Sequence, residues 1–378
     1  MIHGKSMPFE GKVEVKGPYY FSSSLPGVLY FHYRDQSRRD TKVTLGKGIG
    51  VWSGYGLPGG LQRKQIEEVE GQGGDFMRLL EGVVVAHLTP FDRNGNVDHG
   101  LLQAYITFLI EKGVNGLFVC GTTAEAQLLS VKERVQILET VLKVNDEKMT
   151  IVAHCGTPTL QDTRELLRHA FSAKAHGGAI VTPFYYRYSQ EELWEYYATL
   201  AREFPHFPLY LYTIPSLTGN ELLPSTVVRL QATFPNIVGL KDSSGNFTAL
   251  TQYLLELPPS FRLIVGYDRA FLPALVLGAA GSVTGPGGVV PEPFVKLFAA
   301  WKRRNLEEAV RFQREVTIVS SILKEGGSLP TLKVGLSWRG FGDGTMRPPF
   351  QTIPQAEQNV LRENLEKAFE EFGYSRKE

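Results

Sequence analysis

From Gly82 onward, short runs of β-branched, aliphatic and aromatic residues alternate with longer stretches whose apolar positions recur every three or four residues. The first pattern buries both faces of a strand and the second buries one stripe of a helix, so together they read as successive βα units feeding a parallel sheet. The spacing predicts strands over about 82–91, 116–121, 149–156, 178–184, 209–215, 237–242, 263–268 and 281–285. Helices are predicted over 101–111, 131–144, 160–176, 190–204 and 246–257. Eight such units, at roughly 30 residues each, favour a closed (β/α)8 TIM barrel over an open doubly wound sheet, which usually has fewer strands. The barrel is expected to span 77–292. From Pro293 to Glu378 the pattern is helical and strand-poor, which predicts the last barrel helix and a C-terminal helical appendage.

Residues 1–76 break this rhythm. Gly, Ser, Tyr and Pro are scattered without helical period, most densely at Gly46 to Gly50 and Gly54 to Gly60. Aromatic alternation from Gly17 to Tyr33 permits a hairpin, but the head as a whole is expected to be an irregular, loosely structured or disordered extension. It carries no chemical motif. Codons for Gly73, Gly74 and Asp75 can spell a bacterial ribosome-binding sequence just before Met77, so the head is expected to be an upstream translation and Met77 the native start. The alternative is a genuine extension that packs on the barrel or on a neighbouring subunit.

Composition narrows the function. Of 378 residues, 43% are hydrophobic and 21% charged, which suits a globular enzyme with a sizeable core. Forty basic against 39 acidic residues leave a formal charge of +1, too little to hold a nucleic-acid backbone or an anionic membrane. No apolar stretch reaches the roughly 18 residues of a membrane span, and no export signal opens the chain. A cytoplasmic enzyme acting on small molecules is expected. Cys120 and Cys155 lie in apolar runs and read as small buried hydrophobes rather than a disulfide. The eight histidines, His87, His154, His169 and His176 among them, form neither His-x-His nor His-Glu-x-x-His, so no metal site is expected. No Gly-x-Gly-x-x-Gly links a strand to a helix, and no dinucleotide site is expected either.

A barrel of this type carries its chemistry on the C-terminal ends of its strands and the loops that follow. That rule selects Gly121-Thr122-Thr123-Ala124-Glu125, Phe184-Tyr185-Tyr186, Tyr212, Lys241 and Gly285-Pro286-Gly287-Gly288. Lys241 directly follows the apolar run Ile237 to Leu240, where burial disfavours a charged amine. A neutral lysine can attack a ketone carbonyl to give an imine. The same spacing also fits a strand-end lysine that snorkels to solvent. Tyr212 and Tyr185 would bring phenols to the same mouth, either as proton carriers or as packing. The Thr122-Thr123 turn offers hydroxyls and amides to a carboxylate, or is an ordinary turn with a helix cap that Glu125 closes. The glycine-rich loop fits a phosphate or simple turn-making.

Together these residues resemble the dihydrodipicolinate synthase and N-acetylneuraminate lyase family of class I, pyruvate-dependent aldolases. The likeness covers nearly all of Gly82 to about Phe372. Its pieces, in the family's order, are Leu88-Thr89-Pro90-Phe91, Gly121 to Glu125, Thr182-Pro183-Phe184-Tyr185-Tyr186, Tyr212-Thr213-Ile214-Pro215, Gly239-Leu240-Lys241-Asp242 and Gly266-Tyr267-Asp268. The resemblance implies that Lys241 forms the Schiff base, that Tyr212 donates and accepts protons, and that Thr122 and Tyr185 join it in a relay. It implies that Thr123 holds the pyruvate carboxylate and that the Val283 backbone contacts pyruvate. It also implies a homotetramer or dimer and no cofactor, because the protonated imine is itself the electron sink.

Three departures bear on the substrate. Ala124 replaces a usual glycine, which would strain the turn by about 1 kcal/mol if that position needs a positive φ. Thr213 replaces a common asparagine. Leu217 stands where synthases that condense pyruvate with aspartate semialdehyde carry an arginine for the second carboxylate. The run Tyr212 to Gly219 looks closer to N-acetylneuraminate lyases and 2-keto-3-deoxygluconate aldolases. The expectation is therefore reversible cleavage of a 2-keto-3-deoxy sugar acid to pyruvate and an aldehyde. The alternatives are 4-hydroxy-tetrahydrodipicolinate synthase, a keto-deoxy sugar acid dehydratase, or a catalytically idle barrel that senses a keto acid.

Overall fold

The computed structural model describes residues 19–25, 28–33 and 78–376. In the head, β1 (Tyr19–Leu25) and β2 (Val28–Tyr33) pair antiparallel, with Tyr19 opposite Tyr33 and Phe21 opposite Phe31. This is the hairpin that the aromatic alternation permits, so this part of the head has regular pairing. The glycine-rich stretches at Gly46 to Gly50 and Gly54 to Gly60, and the expected start at Met77, lie outside the described residues.

Eight parallel strands close into a barrel: β3 (Gly82–Ala86), β4 (Gly116–Val119), β5 (Thr150–His154), β6 (Gly177–Val181), β7 (Leu209–Thr213), β8 (Ile237–Asp242), β9 (Arg262–Val265) and β10 (Gly281–Thr284). β10 pairs with β3 to complete the ring, Val283 opposite Val84. The helices between strands include α1 (His99–Glu111), α2 (Val131–Asn145), α3 (Leu160–Ser172), α4 (Gln190–Glu203), α5 (Pro215–Thr218), α6 (Pro224–Thr233), α7 (Phe247–Glu256) and α8 (Phe271–Leu277). Sequence sets their starts. Ser130 with Glu133, and Ser189 with Glu192, form capping boxes that satisfy the first free amides of α2 and α4. After β10 come α9 (Glu292–Lys302), α10 (Leu306–Ile322), α11 (Leu329–Trp338) and α12 (Gln355–Phe372).

Alternation along each strand divides the core in two. Val84, Ala86, Phe118, Val152, Ala179, Val181, Tyr210, Tyr212, Ile264 and Val283 fill the barrel, while Val83, Val85, Leu117, Val119, Ile151 and Leu211 pack outward in the layer under the helices. The expected strands are present, with shorter ends. The first runs only to Ala86, because His87 to Phe91 leave the ladder yet stay buried at the mouth. The apolar run there reports burial, not pairing. The helix expected over 160–176 ends at Ser172, where Lys174 turns left-handed at φ 61° without a glycine to mark the stop. Among the described residues, no helix is long and apolar enough to cross a membrane.

Candidate active site

Because all eight barrel strands are parallel, their C-terminal ends share one mouth. Strand parity decides what enters it. A Cβ built on Gly239 would lie 2.6 Å from the ring of Tyr210, an interior residue, so Gly239 faces inward and Lys241, two residues on, does too. Lys241 is only 5% exposed. Its Nζ lies 4.1 Å from the centroid of the Tyr212 ring and 4.4 Å from that of Phe118. Among the described residues no hydrogen bond or ion pair reaches this amine, so the snorkelling alternative does not describe it.

Tyr212, buried on β7, brings its hydroxyl within 3.3 Å of the Thr122 hydroxyl, and either can donate. Its ring stands edge-on to Phe118 at 5.6 Å and to His154 at 5.8 Å, which fixes its tilt. Thr122 belongs to a 3-10 turn, Thr122–Ala124, that follows β4. The positive φ values around this turn fall at Cys120 (56°) and Glu125 (58°), not at Ala124. The condition for strain at Ala124, a positive φ, is therefore not met. Thr123 faces the end of β10, since a Cβ on Gly285 would lie 3.4 Å from its hydroxyl oxygen. Val283 is buried on β10 in the same interior cluster as Tyr212.

Two expected site residues stand apart. Leu217, on the short α5, is 64% exposed. Tyr185 is 86% exposed with φ 81°, a conformation costly for an aromatic residue, and its ring packs edge-on against Tyr186 at 5.0 Å. No described contact joins it to Tyr212. The structure brings together Lys241, Tyr212 and Thr122, with Thr123 on the same turn as Thr122 and Val283 in the interior cluster, and leaves Tyr185 outside that cluster.

The Gly285 to Gly288 loop has a packing explanation. Side chains at Gly287 and Gly288 would collide with Thr284 Cγ2 at 2.4 Å and Tyr105 Oη at 2.6 Å, and Tyr105 donates to the Gly288 carbonyl at 2.9 Å. These glycines admit close neighbours, and the loop needs no phosphate to account for them.

Sequence reasoning gave no role to Phe118, His154 or Asp268. Phe118 and His154 share the inward parity that Lys241 and Tyr212 have, two positions on from the inward Gly116 and Val152, and that alternation would have found them. His154 stacks on Phe118 at 5.8 Å, and burial, with Arg134 and Lys241 nearby, holds it well below the usual histidine range, hence neutral. Asp268 follows β9. Burial pushes its carboxyl up to about 7, against hydrogen bonds from Ser320 at 2.8 Å and from Thr284. Cys120 and Cys155 are free, buried thiols, pushed up by burial to about 12, as the reading of small hydrophobes anticipates.

Comparison with known proteins agrees with this geometry. The model of the dihydrodipicolinate synthetase family matches residues 79–368. A 4-hydroxy-tetrahydrodipicolinate synthase from Nitratidesulfovibrio vulgaris is 30% identical over 290 residues, covering 76% of this chain and 98% of the relative. The crystal structure of dihydrodipicolinate synthase from Aquifex aeolicus superposes with a TM-score of 0.73 at 29% identity, over 76% of this chain and 98% of that one. YagE, an Escherichia coli K12 prophage protein of the dihydrodipicolinic acid synthase family solved in complex with pyruvate, gives 0.73 at 26% identity, over 77% and 99%. The shared barrel, the inward lysine and the extent of these matches lead to one assignment: the chain belongs to the dihydrodipicolinate synthetase family of pyruvate-dependent class I aldolases and lyases.

Proposed function

We propose that this chain joins pyruvate, held as an imine on Lys241, to an aldehyde carrying its own carboxylate, the reaction of a 4-hydroxy-tetrahydrodipicolinate synthase. The observation that carries the chemistry is the Lys241 amine, buried without an ion pair beside the Tyr212 to Thr122 hydroxyl contact. The name of the curated relatives favours this acceptor over a sugar-derived aldehyde.

In this scheme the Lys241 nitrogen attacks the keto carbon of pyruvate, and Tyr212 passes the protons that let the carbonyl oxygen leave as water. Loss of a methyl proton from the protonated imine gives an enamine, whose carbon attacks the aldehyde carbonyl. The aldehyde oxygen takes up a proton through Tyr212, and hydrolysis or ring closure frees the lysine. Thr123 and the backbone at Val283 hold the pyruvate carboxylate so that the reacting carbon points at the acceptor. The exposed Tyr185 can complete the relay only through a rearrangement of its loop or by donation between copies of a homo-oligomer, the assembly the family resemblance implies.

Leu217 favours a second reading. An exposed leucine at the mouth gives an anionic acceptor no cation at that position, and suits reversible cleavage of a 2-keto-3-deoxy sugar acid. Specificity constants decide between the two. Turnover of pyruvate with aspartate semialdehyde at least tenfold above that of any 2-keto-3-deoxy sugar acid is expected, and the reverse ranking would reinstate the sugar-acid lyase.

A further inference from the structure

The turn that carries Thr122 and Thr123 is short, and it runs straight into Glu125, a non-glycine residue in the left-handed region at φ 58°. Such a residue persists only where its surroundings over-determine it. Here they do so from a distant part of the chain. The Glu125 carboxylate is buried and pairs at 3.1 Å with the ammonium of Lys333, itself 3% exposed, on α11 among the C-terminal helices. The ammonium has three N–H groups and three oxygen partners. Beyond Glu125 it donates to the Thr89 carbonyl and, at 3.1 Å, to the Thr345 carbonyl, above the face of Phe91 at 4.1 Å.

Thr89 and Glu125 tie this ammonium to the turn. Thr89 donates its hydroxyl to the carbonyl of Ala124 at 2.8 Å. The second Glu125 oxygen accepts from the Arg347 amide at 3.3 Å, while the Arg347 guanidinium pairs with Glu133 and donates to the Leu128 carbonyl at 2.8 Å. Residues 124–128 are thus held at Ala124 by Thr89, at Glu125 by Lys333 and at Leu128 by Arg347. Stability alone does not call for this arrangement, because apolar residues of the same volume commonly serve a fold as well as a buried ion pair does. What an ammonium adds is a joint: one group pairs with the Glu125 carboxylate while donating to the carbonyls of Thr89 and Thr345.

We propose that Lys333 is a positioning residue for pyruvate: acting through Glu125 and Thr89, it sets the Thr122–Ala124 turn at the distance that lets Thr123 hold the keto-acid carboxylate and Thr122 meet Tyr212. The C-terminal helices thereby tune substrate affinity without touching substrate. The inference rests on the proposed carboxylate role of Thr123.

The test is steady-state kinetics on the full chain, with thermal unfolding measured on the same preparations. In Lys333→Met/Glu125→Leu both charges leave together, so neither stays buried alone. This double variant is expected to fold, to raise KM for pyruvate about tenfold and to keep kcat within about threefold, the split produced by loosened ground-state binding. Should it not fold, Glu125→Gln, which keeps the shape and drops the charge, is expected to move KM the same way. A folded variant with lowered thermal stability and an unaltered KM would make the pair merely structural and overturn the inference. Thr123→Val separates the two claims. A raised KM there, beside an unaltered KM in the Lys333 and Glu125 variants, overturns the inference alone. An unaltered KM there, beside a raised one in those variants, supports positioning through the rest of the turn and removes only the carboxylate role of Thr123.

Discussion

Two buried lysines lie at the mouth end of this barrel, and their surroundings could hardly differ more. Lys333 pairs with the Glu125 carboxylate and donates to the carbonyls of Thr89 and Thr345. Lys241 lies over the faces of Tyr212 and Phe118, and among the described residues no hydrogen bond or ion pair reaches it. Both ammonium groups would lose hydration on burial, but only Lys333 has a carboxylate to offset that loss, and burial still pulls it below the usual lysine range. A satisfied lysine is a strut. Lys241, beside the Tyr212 to Thr122 hydroxyl contact, is the one we propose as the nucleophile.

The sharpest way to break that contrast is to remove the hydroxyl proposed as proton carrier beside the Lys241 amine. Tyr212→Phe keeps the edge contacts with Phe118 and His154 and deletes the hydroxyl, so kcat should fall about 10²- to 10⁴-fold with little change in thermal stability. A fall below fivefold would mean that protons travel another way. Lys333→Met alone should behave oppositely, costing about 3 to 5 kcal/mol of stability in denaturant titration by stranding the Glu125 charge. Most of that loss should return in the double variant with Glu125→Leu; failure to recover it would point to packing rather than charge.

A smaller effect is expected at the rim. Leu217→Arg supplies a charged partner worth about 1.5 to 3 kcal/mol, so the specificity constant for aspartate semialdehyde should rise roughly tenfold or more. No gain would show that position 217 does not face the acceptor. The smallest concerns Asp268. Burial raises its pKa from the usual 3.8 to about 7, so the folded chain binds the extra proton between those limits. This group's contribution is therefore largest at low pH and falls as pH rises from about 4 to about 7. Asp268→Asn should flatten the stability profile across that window, and an unaltered profile would mean that the carboxyl titrates normally.

The order and type of the barrel elements were legible because alternation and three-to-four periodicity are local, and so was the placement of Lys241, Tyr212 and the threonine turn at strand ends. Strand lengths were less so, since the loop at His87 to Phe91 is as buried as the strand before it. The left-handed residue of the turn proved to be Glu125 rather than Ala124, because a carboxylate held by Lys333 fixes that backbone from 208 positions away in the chain. No local pattern encodes such a pairing. Tyr185 teaches the converse: its motif matched, yet its ring lies exposed, because a motif specifies residue type and order but not which way a loop turns.

The central claim is that the Lys241 amine, not that of Lys333 or any surface lysine, takes the keto carbon of pyruvate. Incubating the full chain with pyruvate and borohydride, then mapping the product by intact mass and peptide mass spectrometry, tests it directly. One reduced pyruvate per chain, located on the peptide containing Lys241 and lost in Lys241→Arg, is the predicted result; an adduct on another lysine, or none at saturating pyruvate, would contradict the account.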